Sequence, residues 1–351
     1  MEIIDGSFGE GGGQILRTAI AISALSGKPI KVINIRSKRE NPGLRPQHLL
    51  AVKALAMLCD AKVEGASIGS RELTFIPSKI KGGNYSFDVG TAGSVTLVLQ
   101  ALLPVLVFAQ DDSYITIEGG TSVPKSPTIN YFEDVLLFHL KKMGVNVKIT
   151  LMRHGFYPKG GGIVNVEIKS VDELRPLNLD RFGEIKKLKL YAYSEGLPCH
   201  IVEREIDKSI SLINGKVAKE VIEIEKRCVN PSSSNVGNFF FIFALGSQDT
   251  VLGYDGIGQK GLPAEKVAEK PTLEIIQNIF VSNAAVDMFA GDQLLIWMAL
   301  AKGVSSITTH KYTMHAYTTL HLLRQLLGIE FQVEGSLDKP ARIKIQGKPI
   351  K

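Results

Sequence analysis

Along this chain the apolar positions alternate between strand-like and helix-like spacing, and the alternation follows a repeating order. Met1–Ile4 reads as a strand, and Thr18–Leu25 predicts a buried helix ended by Gly27 and Pro29. Ile30–Ile35 is a short strand. Gln47–Leu58 then places Leu49, Val52, Leu55, Ala56 and Leu58 on one helical face before a strand at Ala61–Glu64. The order is strand, Gly-rich helix start, strand, basic loop, amphipathic helix, strand.

That order returns twice. Phe87–Thr96 is a strand entering a small-residue helix start, Leu97–Phe108 an apolar helix, Tyr114–Ile117 a strand, Tyr131–Met143 a helix and Gly144–Ile149 a strand. Near the C-terminus come Ala284–Ala301 (helix), Ser306–Thr309 (strand), Tyr317–Leu327 (helix) and Gly328–Val333 (strand). A unit of roughly 80 residues used three times predicts three α/β modules packed around a shared axis rather than a solenoid. Between the second and third copies, Leu188–Ala192, Lys208–Lys226 and Phe239–Leu245 read as strand, helix and strand, and Ala264–Ile279 as a further helix. The breaker-rich loop Asn230–Asn238 lies among them. Residues 183–278 are therefore expected to form an inserted α/β domain, with 1–182 and 279–351 forming the main body.

Composition narrows the class. Of 351 residues, 44% are hydrophobic and 22% charged, as in soluble globular proteins. A net charge of +6 favours an anionic partner such as RNA or a nucleotide. Cys59, Cys199 and Cys228 share no close spacing, so neither a disulfide framework nor a metal-binding Cys pair is expected, and a reducing compartment fits. The longest apolar run, Leu97–Ala109, is too short for a bilayer and contains Gln100 and Pro104; with no signal peptide in view, a cytoplasmic protein without a membrane partner is expected.

The candidate chemistry clusters at helix starts. Asp5-Gly-Ser-Phe-Gly-Glu-Gly-Gly-Gly-Gln-Ile-Leu-Arg17 sets one carboxylate, Glu10, among glycines, with Gln14 and Arg17 following. Glycine permits close backbone approach, and amides at a helix start bind anions. Arg36-Ser-Lys-Arg39 and Asn41–His48 form a basic loop whose guanidinium forks suit phosphate oxygens, though a solvated basic face reads equally simply. Gly90-Thr-Ala-Gly-Ser94 is either a second anion cradle or a close helix–sheet contact. Asp292-Gln293 places a carboxylate in an apolar helix, where it must be paired or used. His310, His315 and His321 lack the i, i+4 spacing of a helical zinc site, so zinc is rejected. His315, at a loop-to-helix junction, suits a base or a nucleophile toward phosphorus, whereas His321 reads as structural.

Together these segments, with Arg153-His-Gly-Phe-Tyr-Pro-Lys-Gly-Gly-Gly162 and Ala290-Gly-Asp-Gln-Leu294, resemble the RNA 3'-terminal phosphate cyclase family over essentially the whole chain. The resemblance implies an α/β fold of three repeated βαβαββ-type modules around a pseudo-threefold axis with a smaller inserted α/β domain. It implies conversion of an RNA 3'-phosphate end to a 2',3'-cyclic phosphate using ATP and Mg²⁺ or Mn²⁺. His315 would be the nucleophile that takes up AMP, and Glu10 the metal ligand. Gln14, Arg17, Arg36, Arg39, Gln47 and Gln100 would bind nucleotide phosphates or the RNA end. Asp292 and Gln293 would orient the histidine and hold the nucleotide, while Phe289 and Pro124 flank adenine. The Arg153–Gly162 run receives no role. Thr319 stands where some relatives carry Asn, and the presence of His315 argues against a non-catalytic branch of the family. An RNA-binding assembly protein and a transferase related to enolpyruvyl transferases are the rival readings. An exposed sheet edge leaves room for a homodimer.

Overall fold

The computed structural model describes residues 1–350 except Pro231, which falls in the expected breaker-rich loop. The chain begins with β1 (Glu2–Asp5), α1 (Gly13–Ser26), β2 (Ile30–Ile33), α2 (Pro46–Leu58), β3 (Lys62–Glu64) and β4 (Leu73–Ile76). It continues with β5 (Gly83–Asp88), α3 (Val95–Val107), β6 (Ser113–Gly119), α4 (Ile129–Tyr131), a π turn at Phe132–Leu137, α5 (Phe138–Lys142), β7 (Asn146–Arg153) and β8 (Gly162–Lys169). After β9 (Asn178–Leu179) come β10 (Ile185–Glu195), α6 (His200–Ile213), β11 (Ile222–Val229), β12 (Gly237–Gly246), β13 (Val251–Ile257) and α7 (Ala264–Gln277). The chain closes with α8 (Met288–Leu300), β14 (Gly303–Thr309), α9 (Met314–Leu327), β15 (Glu330–Glu334) and β16 (Ala341–Gly347).

Three sheets share one strand order: β1-β2-β4-β3, β5-β6-β8-β7 and β9-β14-β16-β15. In each, the first two strands are parallel and the last-formed strand lies antiparallel between the second and third. In the third sheet, residues between β9 and α8 build a separate sheet, ordered β11-β10-β12-β13.

Helices form the shared centre. α1 packs against α2, α3 and α9, and α8 against α3 and α9. A helix surrounded by others has no solvated face, which is why Ile15, Leu16, Ala19, Ile20, Ala21 and Ile22 are all buried. α1 stops at Gly27, whose φ of 67° is the left-handed cap conformation that glycine adopts without strain.

The fourth sheet serves two cores. Leu188, Leu190, Ala192, Phe240 and Ile242 pack with α6 and α7 residues such as Val202, Ile206 and Val267. Tyr191, Tyr193, Phe239 and Phe241, on the alternate positions, join the main core instead. Burial on both faces explains the unbroken apolar run at Phe239–Leu245. Asp287 knits these parts together. It is fully buried and caps α8 by accepting from the Phe289 and Ala290 amides, both at 2.9 Å. It also accepts from the Tyr131 hydroxyl at 2.6 Å and the Gly253 amide of β13 at 3.1 Å.

Two expectations need correction. Lys208–Lys226 is not one helix: α6 ends at Ile213 before Asn214-Gly215, and β11 takes over. Ile222 and Ile224 alternate with Glu223 and Glu225, which pair with Lys187 and Lys189 of β10, so the strand spacing wins. Cys199 and Cys228 are joined in a disulfide despite a separation of 29 residues. The parallel register sets Cys228 opposite Ser194, close to where β10 gives way to α6, so topology supplies the proximity that spacing does not show. Cys59 remains a buried thiol. Among the described residues, no helix is long and apolar enough to cross a membrane.

Candidate active site

The N-terminal glycine stretch is built for close approach. Asp5, ending β1, accepts hydrogen bonds from the Ser7 amide at 2.9 Å and the Asn34 side chain at 3.1 Å, which fixes the turn. Gly9 adopts φ +55°, and a Cβ there would stand 2.1 Å from Thr318 Oγ1 of α9. A Cβ on Gly13 would stand 2.0 Å from His48 Nε2 of α2. Glycine is thus required for the starts of α1, α2 and α9 to converge.

Glu10 occupies that convergence. Its Oε2 lies 2.5 Å from His315 Nδ1, and its Oε1 accepts from Arg39. Burial alone would raise the Glu10 pKa, but the histidine and then the guanidinium outweigh it, and the carboxyl sits below its ordinary value. His315 stands in the first turn of α9 with its side chain 43% exposed. With Nδ1 turned to the carboxylate, Nε2 is the ring nitrogen left to act, the arrangement of an oriented nucleophile or base.

Thr313, the α9 cap, accepts from the Ala316 amide at 3.0 Å and donates to Asp292 Oδ1 at 2.5 Å. Asp292, on α8, is 8% exposed; burial pushes its pKa up to about 7, against the pull of Thr313 and His315. It lines a narrow cleft with Gln14, Arg17, Gln100, Gln293 and Thr319. There Gln14 donates to Thr319 at 2.8 Å and Gln100 to Gln293 at 2.7 Å. Gln293 also donates to the carbonyl of Phe289, one turn earlier, whose ring lies edge-on to Tyr131 and Tyr254. Pro124 is partly exposed in the loop before α4.

Cations crowd the start of α1 and the loop before α2. Arg36 donates to the carbonyls of Asn41 and Gly43 at 2.7 and 2.9 Å, bracing its own loop. Burial lowers its pKa, and the charges of Arg45 and Arg39 lower it further. Burial likewise lowers Arg17 to about 10, with Glu10 opposing and Arg36 adding to the effect. His48 falls to about 3, first through burial and then through Arg17, Arg36 and Arg45, so it is neutral. Arg39 and Arg17 feel the charge of Glu10, which is already shared with His315, and Arg36 and Arg45 add positive charge close by, so the site carries an excess of cations that an anion relieves. Gln47 accepts from the Ser94 amide at 3.1 Å, tying this loop to Gly90–Ser94.

The structure therefore gathers Glu10, Arg39 and His315 by direct contact, and Gln14, Arg17, Gln100, Asp292 and Gln293 around one cleft. Sequence reasoning misses Thr313 and Thr318, and names Thr319 and His48 without a role in the site. A threonine just before a helix carries a capping signal, but their cross-chain partners do not show in the sequence. His321 is packed among Phe8, Tyr317 and Phe331 and its Nδ1 lies 2.8 Å from the Tyr317 carbonyl, in keeping with a structural role. Among the described residues, no group of three or more His, Cys, Asp or Glu could hold a metal.

A family model described as RNA 3'-terminal phosphate cyclase matches residues 8–333. Similar proteins of that description include one from Pyrococcus furiosus, 44% identical over 99% of each chain. Another, from Desulfurococcus amylolyticus, is 43% identical over 98% of this chain and 97% of its own. Among solved structures, the enolpyruvyl transferase NikO from Streptomyces tendae matches with a TM-score of 0.41 and 11% identity, over 99% of this chain and 49% of that one.

Proposed function

The chain belongs to the RNA 3'-terminal phosphate cyclase family, and from that premise we propose that it converts an RNA 3'-phosphate to a 2',3'-cyclic phosphate through a histidine–AMP intermediate. The observation that carries this reading is the His315–Glu10 pair, set beside Arg39. Nε2 of His315 attacks the α-phosphorus of ATP; the bond to pyrophosphate breaks, and Glu10 stabilises the positive charge the ring acquires. An oxygen of the RNA 3'-phosphate then displaces the imidazole, taking AMP. Finally the neighbouring 2'-hydroxyl loses its proton and attacks the 3'-phosphorus, closing the ring and expelling AMP.

Arg17, Arg36, Arg39 and Gln47 neutralise and orient phosphoryl oxygens in this scheme, and Gln14, Gln100, Asp292 and Gln293 fix the nucleotide. Phe289 and Pro124 flank the adenine. A single carboxylate fits Mg²⁺ or Mn²⁺ held otherwise by phosphate oxygens and water, so Glu10 would hold it; such an ion supplies charge neutralisation at the triphosphate. We read the three like-ordered sheets as βαβαββ-type modules around a pseudo-threefold axis, and 183–278 as an inserted domain.

The test is incubation with α-labelled ATP and a divalent metal, without RNA. An acid-labile, alkali-stable labelled protein is expected, and its persistence in His315→Ala would remove the histidine from the mechanism.

A further inference from the structure

The Cys199–Cys228 bond takes no part in the site above, and it is not sealed in a core. Cys199 is exposed, with exposed Pro198 and His200 on either side. Cys228 is half-buried on β11, the outer strand of the fourth sheet. The Cys199 end of the bond is thus open to a soluble thiol while the chain stays folded. Exposed disulfides are the ones that exchange, whereas bonds that serve stability alone resist reduction.

Cys199 is also the residue that opens α6. The helix follows β10 through a short turn, and no side chain caps it. The first amides of a helix lack intrahelical acceptors and carry partial positive charge, so a sulfur there is stabilised as a thiolate. Lys226, two positions before Cys228 on the same face of β11, adds to this effect, while Glu203 in the first turn of α6 opposes it. Arg204 is already engaged by Glu265 of α7 at 2.7 Å.

The surroundings of Cys228 are those of a thiol. Its Sγ lies 3.9 Å from the Leu197 carbonyl, an acceptor that the sulfur can use only once it carries a proton. In the parallel register Cys228 stands beside Ser194, whose buried hydroxyl has no partner. Asn238, opposite Ser194 on the other side, donates to Glu205 of α6 at 3.1 Å. Glu205 is fully buried, its Oε1 has no partner, and burial pushes its pKa up to about 8. A row of polar groups with unused hydrogen-bonding capacity therefore runs beneath α6 to the bond, among residues that are otherwise apolar.

We propose that Cys199 and Cys228 form a thiol–disulfide exchange site, with Cys199 the nucleophilic sulfur, Cys228 the resolving one, and a dithiol or its disulfide as the second reactant. One thiolate of the dithiol attacks Cys199 Sγ; the Cys199–Cys228 bond breaks, and Cys228 takes up a proton and turns it to the Leu197 carbonyl. The second sulfur of the dithiol attacks the first, closing the disulfide of the reactant and expelling Cys199 as a thiolate at the start of α6. Two electrons pass to the pair; of the two protons of the dithiol, one remains on Cys228 and the other goes to solvent. The reverse sequence closes the bond again. No step uses His315, so the proposal stands apart from the cyclase reading.

The experiment treats the oxidised full chain with dithiothreitol at neutral pH without denaturant, traps thiols with iodoacetamide and counts the labels by mass. Cys59 reports unfolding, because it is buried and its thiol is pushed up to about 11. Labels on Cys199 and Cys228 with Cys59 untouched are expected, and oxidised dithiothreitol in place of the reductant should restore the bond. In Cys228→Ser, alkylation of Cys199 should rise with a midpoint about one pH unit below the ordinary thiol value of about 8.5, which makes it about tenfold faster at pH 7 than an unperturbed thiol. Labelling that requires denaturant, or that reaches Cys59 at the same rate, overturns the proposal, since the bond then opens only by unfolding. An alkylation midpoint at the ordinary thiol value also overturns it, because Cys199 would gain nothing from its place on α6.

Discussion

His315 Nδ1 and Glu10 Oε2, brought together from opposite ends of the chain, lie 2.5 Å apart. The contact turns Nδ1 to the carboxylate, leaves Nε2 as the outward nitrogen and supplies the counter-charge for a cationic imidazole. Glu10→Gln keeps the shape and removes the charge. Its single-turnover labelling by ATP should fall by about 10²-fold, whereas His315→Ala should give none. A Glu10→Gln rate equal to the unaltered protein would show that the carboxylate plays no part in this step.

Chelation separates chemistry from folding. Glu10 is held by His315 and Arg39, both groups of the protein itself. EDTA should therefore stop labelling while leaving the melting temperature unchanged. A marked fall in melting temperature would mean that a metal supports the fold.

Asp292 gives a pH dependence with a definite sign. Its folded pKa, about 7, exceeds the ordinary carboxyl value of 3.8. The native state therefore binds more protons than the unfolded chain between those values, and its stability falls as pH rises through that window. The penalty is absent below the window and complete above it. Asp292→Asn removes it: the variant should melt with the unaltered protein at acid pH and above it on the alkaline side, while labelling more slowly. Parallel melting curves across the pH range would contradict this.

Two glycines of equal local conformation should respond differently. Gly9 (φ +55°) faces Thr318, whereas a Cβ on Gly27 (φ +67°) would meet nothing within 4 Å. Gly27→Ala should cost about 1 kcal/mol and leave labelling intact. Gly9→Ala adds a clash at the junction of α1 and α9, so it should cost about 2–4 kcal/mol and slow labelling as well. Denaturant titrations and labelling rates on both variants check this.

Reduction tests the Cys199–Cys228 bond, which spans 29 residues. Losing a closure of that length should cost about 3 kcal/mol, read as a lower melting temperature in dithiothreitol. Cys199→Ser should show the same loss without reductant. A melting point indifferent to both would assign the bond no share in stability.

Much of the architecture can be read in the sequence, because α1, α2, α3 and α9 carry apolar faces bounded by Gly or Pro. The strands that escape notice include β4, β8 and β16, which lie inside their sheets between earlier partners, and the edge strands β9, β11 and β13. β4 has four residues, too few for a clear period, although β16 does alternate Ala341, Ile343 and Ile345 inward. At the site, residue types alone point to Glu10, His315 and the arginines. The threonines on α9 are different: Thr318 and Thr319 matter through partners at Glu10 and Gln14, which only the folded chain reveals.

Asp287 is a joint where three pieces of chain meet. Its carboxylate grips the helix that carries Asp292 and Gln293, the Tyr131 hydroxyl and an amide of β13. A hinge needs slack, and a buried carboxylate with four donors leaves none. Tilting the fourth sheet by even an ångström would drag the start of α8 along, so excising residues 183–278 would unseat Asp292 and Gln293 together with the severed sheet.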